Sequence, residues 1–513
     1  MTKRTTLWIL LICLSVSVAF RVHTLADRSL WFDEAFSVRL IEFSWPEMIS
    51  RAATDVHPPL YYVLLKVWGL VFGGSVFTLR FFSVVFSTLA VAAAYMFSSF
   101  AFRSRAIGTT AAFLLAVSSW QISYGWEARM YALGTFLSLL SSWLLLKSLR
   151  QPAKSGMWWI LYGLTTLAFA YTHYFAFFTM AAQAIFVIGL LIFQARGRVG
   201  EILTNKHFWW AIVAAAIVVV GYLPWLPTLL AQNNQVQDSY WVPKLGGWSI
   251  PDTFYRMLKL QIPIPPHEFP ILLLTLVPMI TIIGIWIALP LISQKKSPQI
   301  TSDAAWLTVL SGAVPIILAA ATSFLGQSLY QDRFLVFTHS FVIIAVAAML
   351  HSVQRPYLRT SAALALIIFF TIGHFNYVKK LNLKTNVGAH AATSAVYENR
   401  EENEPVIVSS PFIFFSIDHY ATQEHGGSQR PHLLSDSGEF AHFAGGPIIT
   451  SRDILSQEEL DKNPPRSLWM VDTTGFGGQE KDLGQAWQRV DRQVFPEVFP
   501  HQGDVIVSHY QAQ

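Results

Sequence analysis

Apolar residues come in long runs separated by short polar breaks, and the length of each run decides its class. A membrane span takes about 20 apolar residues at a rise of 1.5 Å each. Eleven runs meet that length, near residues 5–25, 78–101, 106–125, 130–149, 156–171, 174–194, 208–229, 270–292, 304–324, 334–350 and 360–378. They predict a polytopic all-α membrane protein. A twelfth run, Leu60–Phe72, is 13 residues long and contains Lys66. Beyond residue 378 the long runs stop. Segments 405–410 and 467–472 read there as buried strands that end in turn-forming residues, and 398–404 reads as a solvated charged face. The expected organisation is a transmembrane domain over 1–378 and a soluble extracytoplasmic α/β domain over 379–513. Within the first, residues 26–77 form an outer loop with an interfacial helix, and 230–269 form a second long outer loop.

Charge follows the same division. Only 13% of the 513 residues are charged, against roughly 25% in an ordinary soluble domain. Residues 379–513 hold 11 basic and 18 acidic residues, so residues 1–378 hold 25 basic and 13 acidic. That composition excludes a soluble enzyme for the first three quarters. The basic excess there lies between apolar runs, which is the positive-inside pattern of cytoplasmic loops and not a nucleic-acid surface.

Parity then fixes the short run. Lys3 and Arg4 place the N-terminus inside. If 60–72 lies along the outer interface, Arg103/Arg105, Lys147/Arg150/Lys154, Arg196/Arg198/Lys206, Lys295/Lys296 and Arg355/Arg359 all fall inside. If it crosses, every one of these loops is inverted. The interfacial reading therefore turns the aromatic and Lys66 face to the headgroups, and puts the C-terminal domain outside the cell membrane. Ser17 and Ala19 leave room for a signal-peptide cut, but a retained anchor is the better reading of the first run. The single cysteine, Cys13, excludes an intrachain disulfide.

On this topology the acids gather on the outer face, six of them in the first loop: Asp27, Asp33, Glu34, Glu42, Glu47 and Asp55. Asp33 and Glu34 stand between apolar residues in Leu30-Trp-Phe-Asp-Glu-Ala-Phe36. A partly desolvated carboxylate there suits a base toward a hydroxyl; acids in the first turn of a helix, facing its dipole, suit the same pattern. Asp55-Val-His-Pro-Pro sets His57 at a rigid point, because two prolines fix the backbone and open a helix. His57 suits a phosphate, or a divalent ion together with Asp33, Glu34 and Asp55; no metal or other cofactor is required by the spacing. Glu127 and Arg129 share a short outer turn with Tyr131, and Arg333 stands at the mouth of the tenth run. An arginine at an outer helix end serves as an interfacial anchor or, with a second arginine and a histidine, as a phosphate clamp. His173, at another outer turn, reads as a satisfied interfacial histidine. The second long loop carries Trp241, Trp248, Arg256 and Lys259, then Pro263-Ile-Pro-Pro-His-Glu268, a weak signal for a gate. There is no phosphate-binding glycine loop, no CxxC and no GxSxG elbow.

Taken in order, Leu30-Trp-Phe-Asp-Glu-Ala, His57-Pro-Pro-Leu-Tyr-Tyr, Arg80, Glu127-Ala-Arg-Met-Tyr131 and Arg333-Phe-Leu resemble the GT-C membrane glycosyltransferases. The branch is that of the protein O-mannosyltransferases and aminoarabinose transferases. The resemblance covers about residues 5–350. It implies inverting transfer of a sugar from a polyprenyl-phosphate donor to a hydroxyl of a lipid, glycan or protein on the outer face. Asp33 would be the general base, with Glu34 orienting it or the substrate. His57 stands where the aminoarabinose transferases carry a lysine on the lipid phosphate. Phe36 stands where they carry an arginine. Arg129 and Arg333 are the candidates to offset charge on the leaving phosphate. A transporter or flippase of a lipid-linked saccharide, and a non-catalytic membrane scaffold, are the competing readings. A transporter calls for ionisable residues near the midplane, whereas here they lie outside.

Overall fold

The computed structural model describes residues 2–238, 240–259, 269–294, 301–383, 387–426, 429–499 and 502–513. The segment Pro263-Ile-Pro-Pro-His-Glu268 and the pair Lys295/Lys296 lie outside the described residues. Among the described residues, nine helices are long and apolar enough to cross a membrane. The pair Arg105–Val117 and Ser119–Gly125, bent by 61°, makes a tenth when counted as one span. The run at 156–171 folds as the helix Ser155–Ala170, whose 16 residues fall short of a full span. The chain is an integral multi-pass membrane protein with a C-terminal sheet.

Two compact units arise, and neither is continuous in sequence. The first comprises Met1–His23, His57–Tyr61 and Arg80–Tyr377. The second comprises Thr24–Val56, Tyr62–Leu79 and Val378–Gln513, so most of the first outer loop folds with the C-terminal residues.

In the first unit the bend after Val117 sets up the turn that follows. The short helix Ser119–Gly125 is held by Gln121, whose Nε2 donates to the Val336 carbonyl at 2.9 Å and to His339 Nδ1 at 3.2 Å. Its chain then leaves directly into Trp126–Met130. Elsewhere Arg150 grips Asp303 through two bonds of 2.7 and 2.8 Å and also donates to the carbonyls of Phe100 and Ala101. Three helix ends are thereby tied by one guanidinium, whose fork suits such multiple acceptors.

The second unit is built on a six-stranded sheet of order β3-β2-β1-β4-β6-β5. The strands are β1 (Val406–Val408), β2 (His432–Leu434), β3 (Ile454–Leu455), β4 (Ser467–Thr473), β5 (Trp487–Pro496) and β6 (Asp504–Ala512). β1 to β4 pair in parallel, while β6 runs antiparallel to both β4 and β5. Both strands read from the sequence are central ones, where both faces are covered and the run is continuously apolar. Ile407, Leu434, Leu468, Met470, Trp487 and Tyr510 form one face of its core.

Residues 29–45 are fastened to this unit by polar bonds as well as by packing. Leu30 N donates to Tyr420 Oη at 2.8 Å, and Ser416 Oγ donates to the Leu30 carbonyl at 3.0 Å. Phe32 packs edge-on against Phe412 with ring centres 5.0 Å apart. Tyr420, Ser416 and Phe412 all belong to the helix Pro411–Glu424. Lys66 donates to the carbonyls of Ile41 and Phe43 at 2.5 and 2.6 Å. These are the last carbonyls of the helix Phe32–Glu42, where a cation is favoured by the macrodipole.

A buried carboxyl makes the unit sensitive to pH. Glu497 is 7% exposed, and burial pushes its pKa up to about 7 although the backbone N–H groups of Val498 and Ala389 favour its charged form. Gly388 leaves room for it: its φ is +60°, and a Cβ there would stand 2.4 Å from Glu497 Oε2. Because the folded pKa exceeds the unfolded one, the proton's contribution is complete below about pH 4.5. It is lost as pH rises through 7, a change on the order of 3 kcal/mol. The unfolding free energy of the full chain is expected to fall by that amount between pH 4.5 and 8, and Glu497→Gln is expected to flatten the profile. An unchanged slope in that variant would assign the pH dependence elsewhere.

Candidate active site

Asp33 and Glu34 occupy the first turn of the helix Phe32–Glu42 in the second unit. The helix starts where Trp31 turns extended, with φ −95° and ψ 166°. Carboxylates in its first turn face unsatisfied backbone N–H groups and the positive end of the dipole. Glu34 is fully buried and Asp33 is partly exposed. Of the two, Asp33 is therefore the one an incoming hydroxyl can reach. Ser37 Oγ donates to the Asp33 carbonyl at 3.1 Å, closing the first turn.

The helix is held from behind by a residue the sequence reading passed over. Arg39, 4% exposed, lies 3.0 Å from Glu42, 3.6 Å from Asp418 and 3.2 Å from Asp453. Asp418 in turn takes Arg430 through its two oxygens at 2.9 and 3.0 Å. A single arginine in a helix carries no sequence signal for two partners almost 400 residues away.

His57, Glu127, Arg129, Tyr131 and Arg333 belong to the first unit. Arg129 Nη2 lies 3.3 Å from His57 Nε2. Arginine has only donors, so that imidazole nitrogen accepts. Glu127 and Arg129 are both buried in a tight turn, closed by Arg129 N donating to the Glu127 carbonyl at 2.7 Å. Tyr131 is buried as the first residue of the helix Tyr131–Arg150, its ring 5.3 Å from that of Tyr124. Arg80 is fully buried.

His173 is the common neighbour. Its ring centre lies 6.5 Å from His57, 6.3 Å from Tyr131 and 5.2 Å from Phe334. Burial first, and then the neighbouring His57, Arg129 and Arg333, push its pKa well below the ordinary histidine value. The histidine read from the sequence as a satisfied interfacial one is a buried neutral imidazole close to the guanidiniums of Arg129 and Arg333. Arg333 packs its guanidinium 4.6 Å over Trp241. Its backbone N–H donates to Asp332 Oδ1 at 2.8 Å, while Asp332 Oδ2 accepts from Arg256 at 2.6 Å. Arg256 also binds Asp252 at 2.7 Å. Two guanidiniums and an imidazole around one neutral ring offer donors to an anion, beside the carboxylates of Glu127 and Asp332. Among the described residues no three His, Cys, Asp or Glu side chains group as a metal site.

Residues 56–225 match the family described as dolichyl-phosphate-mannose-protein mannosyltransferase. The oligosaccharyltransferase of Archaeoglobus fulgidus, solved with zinc and sulfate, is similar over 90% of this chain and 67% of its own, with 13% identity and a TM-score of 0.52. The fold is that of a GT-C glycosyltransferase. A second structure from Archaeoglobus fulgidus, oligosaccharyltransferase AglB with an inhibitory peptide and a dolichol-phosphate, matches 91% of this chain and 69% of its own at 12% identity and a TM-score of 0.50. ArnT from Cupriavidus metallidurans in the apo state aligns over 99% of this chain and 98% of its own, at 11% identity and a TM-score of 0.48. The chain spans about two thirds of the length of these oligosaccharyltransferases. No curated protein matches the sequence significantly.

Proposed function

We propose that this GT-C protein is an inverting glycosyltransferase that moves a sugar from a polyprenyl-phosphate donor to a hydroxyl acceptor on the extracytoplasmic face. The observation that carries the reading is the first-turn carboxylate Asp33 of the second unit, partly exposed beside the buried Glu34; the guanidiniums of Arg129 and Arg333 with His57 in the first unit support an anionic donor. The family matched by residues 56–225 is named for a dolichyl-phosphate-mannose donor, and AglB was solved with a dolichol-phosphate; both support a lipid-phosphate-linked donor here.

In the proposed reaction the acceptor oxygen attacks the anomeric carbon while the bond from that carbon to the phosphate oxygen breaks. Asp33 takes the acceptor's proton, and the polyprenyl phosphate departs with the electron pair. Buried Glu34 orients Asp33 or the substrate. Arg129, His57 and Arg333 offset the charge that grows on the leaving phosphate, where fixed cations act more strongly than in water. Glu127 and Tyr131 shape the turn that presents Arg129.

The test is a panel of labelled polyprenyl-phosphate sugars given to the purified protein, with native membrane extract as acceptor source. One donor is expected to be consumed. Arg129→Gln is expected to weaken donor binding about tenfold or more, since a hydrogen bond to a charged group contributes about 1.5–3 kcal/mol. Inert wild type across the whole panel, or an Arg129→Gln variant with unchanged donor affinity, would count against this assignment.

A further inference from the structure

The second unit holds a cavity of about 430 Å³ that no step of the proposed reaction uses. It is lined by Asn403, Gln429, Arg430, His432, Arg452 and Asp453, with short apolar pieces between them. These residues lie on the segments that enter β1, β2 and β3. On the far side, the crevice where the chain leaves β1 is taken by Leu30, Trp31 and Phe32 packed against Phe412, Ile413 and Ser416. The sheet thus keeps one end for its own chain and leaves the other open.

The lining has the electrostatics of an anion site. Its one carboxylate is already engaged: Asp453 accepts from Arg39 at 3.2 Å and from Thr450 N and Oγ1 at 2.8 and 2.7 Å. Arg430 donates from Nη2 to Asp418 Oδ2 at 3.0 Å and sets its Nε 2.9 Å from the other oxygen, so its remaining N–H groups are not used by that carboxylate. Arg452, 61% exposed, has only a 3.7 Å approach to Asp453. Two guanidiniums, an imidazole and two side-chain amides therefore face one satisfied carboxylate. Guanidinium recognises phosphate and carboxylate oxygens in pairs. The volume is in the range of small-molecule sites and far more than one tetrahedral anion fills.

We propose that this cavity binds a sugar bearing a phosphate or carboxylate group, the anionic head of the acceptor. The anion preference stands on the cavity alone, whereas the assignment to an acceptor rests on the glycosyl-transfer reading. Two of its lining residues, Arg430 and Asp453, belong to the ion network that holds Arg39. The occupant accordingly sits beside the anchor of the helix that carries Asp33.

Equilibrium binding to the full chain in neutral phosphatidylcholine nanodiscs tests it, with mannose 6-phosphate, galacturonate, methyl mannoside and inorganic phosphate as probes. One or both anionic sugars are expected to bind, and their ratio identifies the anion. Methyl mannoside is expected not to bind. Arg452→Gln, at an exposed position that does not endanger folding, is expected to weaken the anionic sugars at least tenfold. Asp33→Asn is expected to leave this binding at the wild-type value, which separates a failure here from a failure of the transfer reading. Equal binding of methyl mannoside, no binding of any probe, or wild-type affinity in Arg452→Gln overturns the site. Inorganic phosphate binding as tightly as mannose 6-phosphate overturns its saccharide part.

Discussion

Asp33→Asn is expected to abolish sugar transfer to within 0.01–1% of the wild-type rate while donor affinity stays the same. A positioned general base contributes roughly 10²–10⁴ in rate. Asparagine keeps the size and the helix position of the side chain but takes no proton. The acceptor hydroxyl would then have to lose its proton to water as it attacks. Donor affinity is expected to hold because the cationic residues assigned to the lipid phosphate are others: His57, Arg129 and Arg333. The two parameters are read from donor titrations and initial rates on one preparation. A variant that loses donor affinity and rate together would make Asp33 a donor-binding residue and leave the base unassigned.

The second large effect falls on stability. Arg39→Leu is expected to destabilise the second unit by about 3–5 kcal/mol, because it strips a buried cation from carboxylates that stay buried. Asp418 and Asp453 are each nearly inaccessible, and both lie within 3.6 Å of the Arg39 guanidinium. Leucine at 39 fills the space but leaves Asp418 with Arg430 alone and Asp453 with the Thr450 donors. The pair Arg39→Leu with Asp453→Asn is expected to recover part of the loss, since it removes one of the orphaned charges. Unfolding midpoints of the full chain, with proteolysis of the C-terminal residues as a local readout, check both. A midpoint unmoved by Arg39→Leu would mean that the network adds nothing to the fold.

How much of this was legible in the sequence depends on the range of the interaction. Spans are local: apolar run length alone found all nine long helices and the bent pair, and the eleventh run folds as the 16-residue helix Ser155–Ala170. The two inner strands were legible for the same reason, since a strand covered on both faces is apolar throughout. The short β2 and β3 and the polar β5 gave no such run. Asp33 and Glu34 were legible as first-turn acids, and the helix does begin at Phe32.

Long-range electrostatics left no trace of that kind. Nothing around Arg39 announces Asp418 or Asp453, and nothing around Lys66 says that it caps the helix Phe32–Glu42. His173 read as a satisfied interfacial histidine because its neighbours His57, Arg129 and Arg333 come from three other segments. The folding of residues 24–56 with 378–513 belongs to the same class.

The anomeric configuration of the product tests the central claim most directly. The purified protein is given its polyprenyl-phosphate donor of known configuration, and the transferred sugar is read by NMR. A base at Asp33 acting in one displacement predicts inversion, with polyprenyl phosphate released in equal amount. A product of retained configuration would require a covalent glycosyl intermediate on a carboxylate, and would contradict the account.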